Sequence, residues 1–351
     1  MITRLTRALS RTESLALAVV ATVWLAAGDV AADGKTPSPG SAKAIFGAVA
    51  LPSEGPPQSI GYYAKGCLSG AVQLPSDGPA FEAMRLSRNR RWGRPETIAL
   101  IERLSEDAAK YDGWPGLLVG DISQPRGGPM FNGHASHQVG LDADIWLTPM
   151  PRRRLTAPER EEMPFTSMLQ QNRFLTVDPN IWTPAHARLL MRAASYPEVE
   201  RIFVNPAIKK KICESWTGDR TNLGKLRPEY GHDSHFHIRL RCPPGSASCK
   251  AQAPVAPGEG CDKSLAWWFT SEPWAKPAPK PGAKPVKPRE MMVSDLPQAC
   301  QAVLNAAPAA APGTVDIGAA PAAPAQPVEP ISGASAAKAF TDNPPVPAVR
   351  P

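Results

Sequence analysis

Five of the chain's six histidines fall in two short windows, and any fold it adopts has to explain why. One window runs Asn132-Gly133-His134-Ala135-Ser136-His137-Gln138-Val139-Gly140-Leu141-Asp142-Ala143-Asp144, the other Gly231-His232-Asp233-Ser234-His235-Phe236-His237. Apolar residues alternate around both. Leu141, Ala143, Ile145 and Leu147 share one face of a strand, with Asp142, Asp144 and Trp146 on the other. Phe236, Ile238 and Leu240 alternate with His235, His237 and Arg239 in the same way. Adjacent in one sheet, the two strands set Asp144 and His237 about one point, and a Gly-bearing loop returns His137 to it. Imidazole and carboxylate are zinc ligands, and a catalytic zinc keeps three protein ligands with one position open for water. A lone His-x-His is as readily a solvated strand face; the clustering favours a metal site. Asp142 shares a face with Asp144, so spacing leaves open which of them ligates. His134 stands three residues before His137, as a fourth ligand, a neighbour of one, or a substrate contact. His186 lies outside both windows and reads as an ordinary surface or core histidine.

Helical and extended patterns are interspersed elsewhere. Ile98, Ile101, Leu104 and Ala108 recur at helical spacing, with Pro95 suited to a first turn and Gly113-Trp114-Pro115 as the stop. Thr183-Pro184 is an N-cap and N1 pair that opens a helix through Ala194. Leu117–Ile122 and Arg201–Val204 read as strands, the second ended by Asn205-Pro206. No regular alternation of strand and helix emerges. The expected class is α+β: an antiparallel sheet carrying the metal site, with helices packed around it.

The ends of the chain bear on compartment and boundaries. Arg4, Arg7 and Arg11 precede an apolar run, Leu15–Ala27, of about 13 residues, followed by Ala31 and Ala32. The layout is that of a secretory signal peptide over 1–32, the apolar run being shorter than the roughly 20 residues a membrane span needs. A Gly/Pro/Ser-rich flexible lead is expected over 33–59 and the compact body over 60–272. A Pro/Lys-rich linker follows over 273–289, then a short segment over 290–306 that carries Cys300. The last stretch, 307–351, is mostly Ala and Pro and is expected to be disordered, having too little to bury. Six cysteines in an exported chain read as three disulfides. Cys242 and Cys249 flank a Pro-Pro-Gly turn, which favours a local bridge; spacing leaves the other pairings open. No Cys-x-x-Cys pair suggests a thiolate zinc site. The formal charge of +7 favours polyanionic partners or simply aids solubility. Export turns that preference from nucleic acid toward an anionic cell wall or membrane surface.

His137 and Asp144, followed by His235-x-His237, resemble the zinc peptidases grouped as lysostaphin, D-Ala-D-Ala carboxypeptidase and hedgehog relatives. The longer strings His134–Asp144, Arg201–Lys209 and His235–Pro243 resemble the penicillin-insensitive murein endopeptidases specifically. The resemblance covers about Gly61 to Phe269 and the Cys300 segment. It implies zinc held by His137, Asp144 and His237, with His134 as a further metal-site residue and His235 and His232 in catalysis. It also implies the disulfides Cys67–Cys300, Cys213–Cys261 and Cys242–Cys249. The implied activity is hydrolysis of the D-alanyl to meso-diaminopimelyl cross-links of peptidoglycan, in the periplasm and with no membrane anchor once the signal is removed. The alternatives are a D-Ala-D-Ala carboxypeptidase or dipeptidase on the same scaffold, and a non-catalytic, zinc-stabilised module that binds the cell wall. Oligomeric state is open.

Overall fold

The structure is a computed structural model that describes residues 37–275 and 289–309. The expected signal peptide, most of the Pro/Lys-rich linker and most of the Ala/Pro-rich tail lie outside the described residues.

The first described element is α1 (Ala42–Gly47), capped by the Ser41 hydroxyl, and a hairpin follows, β1 (Gln58–Tyr62) and β2 (Lys65–Ser69). Next come β3 (Val72–Gln73), β4 (Asp77–Gly78), β5 (Phe81–Ala83) and β6 (Trp92–Gly93). Helix α2 spans Pro95–Tyr111. It buries Ile98, Ile101, Leu104 and Ala108, the stripe anticipated from their spacing, and Gly113 at φ 68° turns the chain away. Strands β7 (Leu117–Val119) and β8 (Asp142–Trp146) lead to α3 (Ala157–Glu162) and α4 (Pro184–Ser195). The chain continues through β9 (Val199–Val204), α5 (Pro206–Ser215), β10 (Leu226–Pro228) and β11 (His235–Leu240). Helices α6 (Lys263–Trp267) and α7 (Ala299–Asn305) complete it.

Seven strands form one sheet in the order β10-β9-β11-β8-β7-β5-β4. The middle of the sheet, β9-β11-β8-β7, is antiparallel as expected. The sheet as a whole is mixed, because β5 runs parallel to β7 and β9 to β10. In each parallel pair a helix lies between the two strands, α2 in the first and α5 in the second, as a parallel neighbour needs such a crossover. Ala143, Ile145, Phe236, Ile238 and Leu240 face a single core with α2 and α4. The opposite face of β8 and β11 carries Asp142, Asp144, His235, His237 and Arg239, with Trp146 at its end.

The lead expected to be flexible is ordered from residue 37. Ala42 and Phe46 of α1 pack with Ile60, Cys67, Leu296, Cys300 and Val303. The Ser/Gly/Pro-rich surroundings hide so short a helix, and three of its apolar partners, Leu296, Cys300 and Val303, lie far away in the sequence. The expected tail begins ordered too: Glu54 N–H donates to Ala307 O at 2.9 Å and Ala309 N–H to Pro52 O at 2.9 Å. All three disulfides implied by the resemblance are present, and Cys67–Cys300 ties the C-terminal segment to the hairpin. No helix among the described residues is long and apolar enough to cross a membrane.

His186 is a core histidine, packed between Trp114 and Trp182. Its Nδ1 accepts the Thr183 N–H at 3.0 Å and its Nε2–H donates to Leu147 O at 3.1 Å, which fixes a neutral ring. Burial pushes its pKa down to about 4. The unfolded chain, at the ordinary value near 6.5, therefore binds more protons between these two pH values. Stability is full above about pH 6.5 and falls as the pH drops to about 4, by about 3 kcal/mol for this one group. Urea melts of the wild type and His186→Gln across that window are expected to converge toward low pH. Parallel curves would contradict the assignment.

Candidate metal centre

The register of β8 and β11 builds the site. His237 lies directly opposite Asp144 and Arg239 opposite Asp142, so all four side chains emerge on one face. His137 comes from the loop before β8 and sits at φ 66°, a backbone conformation rare outside glycine. Two bonds hold it there. Its N–H donates to Asp142 Oδ2 at 3.0 Å, and its ring Nδ1–H donates to the Ile122 carbonyl at 2.7 Å.

The other rings are fixed in the same way. His237 Nε2–H donates to Asp142 Oδ1 at 2.9 Å, and His134 Nε2–H to Asp121 Oδ2 at 3.0 Å. Each neutral imidazole has one N–H, and each spends it on an outer partner. What remains is His137 Nε2 facing His237 Nδ1 at 3.1 Å, with Asp144 Oδ1 at 3.3 and 3.4 Å from the two. His134 Nδ1 lies 3.5 Å from the other Asp144 oxygen. Asp144 Oδ1 is buried and has no hydrogen-bond donor. Lone pairs converging this closely repel one another unless a cation lies among them. Ligands at about 2.0–2.1 Å from a tetrahedral zinc stand roughly 3.3 Å apart, which matches these separations. His134, His137 and Asp144 likewise offer ligand atoms all within 4.8 Å of one another.

Where no cation lies among these groups, a second proton on His137 takes its place. Burial disfavours a charged His137, but Asp144 and Asp142 outweigh it and raise its pKa to about 9. Burial and the adjacent His137 push His237 down to about 3. Asp144 is fully buried, yet the surrounding histidines hold its pKa well below the ordinary carboxylate value.

His235 and His232 stand at the rim. His235 Nε2 is 3.9 Å from Asp144 Oδ2, and its side chain is partly exposed. Burial lowers its pKa against the opposing pull of Asp144. His232, at φ 52°, donates Nδ1–H to Tyr230 O at 2.7 Å, with its ring 5.0 Å from that of His235. The structure thus gathers all six residues singled out from the sequence and leaves His186 apart.

Two carboxylates were not assigned roles beforehand. Asp142, equivalent to Asp144 by spacing, is taken up by the His137 N–H, by His237 and by the Arg239 guanidinium at 2.7 Å, so it orients His137 and His237. Asp121 orients His134 and is itself paired with Arg90 at 2.9 Å and Arg88 at 3.2 Å. Its signal was a lone carboxylate within the apolar run Leu117–Ile122.

A structural zinc site is typically closed, often by thiolates, but every cysteine here is in a disulfide. Imidazoles each oriented from behind, together with one carboxylate and two more flanking histidines, suit a metal-dependent hydrolase. Comparison with known proteins narrows that class. The pattern defining the penicillin-insensitive murein endopeptidases matches residues 59–305. The penicillin-insensitive murein endopeptidase of Haemophilus influenzae is 44% identical over 256 residues, 73% of this chain and 85% of the relative. That of Klebsiella pneumoniae is 40% identical over 257 residues (73% and 89%), and that of Yersinia enterocolitica 39% over 269 residues (76% and 93%). The chain belongs to this family and is a murein endopeptidase.

Asp142→Ala leaves Arg239 buried without its counter-charge and is expected to destabilise the fold by about 3–5 kcal/mol, read from denaturant melts. A loss below about 1 kcal/mol would show that Asp142 is not the anchor described here.

Proposed function

We propose that the protein is an exported zinc endopeptidase that hydrolyses the D-alanyl to meso-diaminopimelyl cross-links between peptidoglycan stem peptides. The observation that carries this reading is the convergence of His137 Nε2, His237 Nδ1 and Asp144 Oδ1, all three of them acceptors when the rings are neutral. These three are the proposed ligands, with His134 as the fourth residue of the metal site. Zinc bound there supplies a Lewis acid and lowers the pKa of a bound water toward neutrality.

The chain's own groups do the rest. Asp142, Asp121 and the Ile122 carbonyl hold the three imidazoles in the tautomer that turns a lone pair inward. His235 is placed to stabilise charge on the scissile carbonyl oxygen or to pass a proton to the leaving amine, and His232 shares that duty. No serine nucleophile takes part, which accounts for insensitivity to β-lactams, since these acylate serine. The N-terminal signal and the three disulfides favour a periplasmic location. The proposed organisation is a cleaved signal over 1–32, the peptidase body, a Pro/Lys-rich linker and an Ala/Pro-rich tail.

The test is to incubate the mature protein with cross-linked muropeptide dimers, with and without a zinc chelator, and identify products by mass spectrometry. Monomers that form only without chelator are expected. Release of free D-alanine would make the enzyme a carboxypeptidase, and no turnover with zinc restored would make the chain a binding module. Asp144→Ala is expected to lose both zinc and turnover. His235→Ala is expected to keep zinc while turnover falls about a hundredfold or more. Zinc loss in the His235 variant would move that residue into the ligand set.

A further inference from the structure

Beside the metal centre, part of the surface is paved with aromatic rings. Phe174, Tyr230 and Trp274 are exposed, at 62%, 46% and 36%, where large apolar side chains are normally covered. Tyr230 stands edge-on to Trp268 at 4.8 Å and to Trp274 at 5.2 Å, and Phe174 meets Trp274 at 5.5 Å. The rings are fixed in place. The Tyr230 hydroxyl donates to Pro273 O at 2.6 Å, and Trp274 Nε1–H donates to Trp268 O at 2.8 Å. Leu175, next to Phe174, is held at φ 41°, a strained backbone of the kind that persists where a loop is pinned. Two hollows of about 730 and 540 Å³ adjoin the rings and share Phe174 and Phe269 as walls.

The shelf is continuous with the catalytic rim. The Tyr230 carbonyl is the acceptor that orients His232, whose ring lies 5.0 Å from His235 and 5.9 Å from His237. A substrate reaching the metal therefore passes within reach of these aromatic faces.

We propose that this aromatic shelf is a saccharide subsite that holds a glycan strand of peptidoglycan while a stem peptide extends to the metal centre. The inference rests on the peptidoglycan reading given above. A pyranose ring presents C–H bonds on its faces and hydroxyls around its edge. The C–H faces stack on the electron-rich faces of aromatic rings, and the edge needs hydrogen-bonding partners. Lys210 and Thr217 line the larger hollow, and Thr270 and Ser271 the smaller. A lipid or an apolar protein face calls instead for an unbroken apolar patch, which these side chains interrupt. The shelf adds affinity for the polymer without touching the reacting atoms, so its effect depends on whether the substrate carries sugar.

The test uses the exposed rings Phe174 and Trp274, which have no part in orienting the catalytic histidines. The full-length mature protein and its Phe174→Ala/Trp274→Ala double variant are assayed on two substrates, sugar-free cross-linked peptide dimers and intact sacculi. Binding of both proteins to peptide-free glycan strands is measured separately. The expected result is unchanged kcat/KM on the sugar-free dimers, with KM on sacculi and Kd for glycan strands each raised about tenfold. Equal losses on both substrates, or no loss on either, would overturn the proposal, as would failure of the wild type to bind the strands. Glycan binding needs no turnover. A chain that binds the strands but cleaves nothing would sink the endopeptidase reading and leave the subsite standing.

Discussion

The carboxylate of Asp142 is the point on which the site depends. It is fully buried and accepts from three directions: the backbone of the His137 loop, the ring of His237 and the guanidinium of Arg239. One group thereby fixes a strained loop residue, selects the tautomer of His237 and neutralises a buried cation. Desolvation opposes its charge, and the cation and rings around it outweigh that penalty, holding its pKa far below the usual carboxylate range. Such an arrangement is stable only if every partner is present, which makes it a source of geometric definition more than of net stability.

The fold supplies the rigid frame for that group. β8 and β11 lie in the middle of the sheet, each paired on both sides, so the register that sets His237 against Asp144 is held by neighbours on either flank. Their other faces belong to the main core with α2 and α4, and a slip by one residue would turn the apolar set outward. Farther out, the segments around α1 and α7 close over the hairpin and are tied there by Cys67–Cys300. The candidate metal centre runs against the rules that build the rest: with neutral rings, lone pairs face one another and a carboxylate oxygen is buried without a donor. Proteins concentrate such local conflict at functional sites.

Much of this could be read from the sequence because the site lies on regular structure. Alternation around Asp144 and His237 defined two strands and their polar faces, and the helical period from Ile98 to Ala108 defined α2 to its ends. The choice between Asp142 and Asp144 was not legible, since both point the same way. Arg239, directly across from Asp142, distinguishes them by claiming that carboxylate. Asp121 was hidden for a similar reason, because its partners His134, Arg90 and Arg88 come together only in three dimensions. Helix α1 is too short for a periodic pattern and is held in part by residues that lie more than two hundred positions away. Two of the three disulfide pairings came from family resemblance and not from spacing.

The central claim is that two or three imidazoles and the Asp144 carboxylate surround one zinc ion. X-ray absorption spectroscopy of the zinc-loaded protein tests it most directly. The expected first shell holds nitrogen and oxygen at about 2.0–2.1 Å, with the outer-shell scattering characteristic of two or three imidazole rings. A sulfur shell at about 2.3 Å, or an oxygen-only shell without imidazole scattering, would contradict the account.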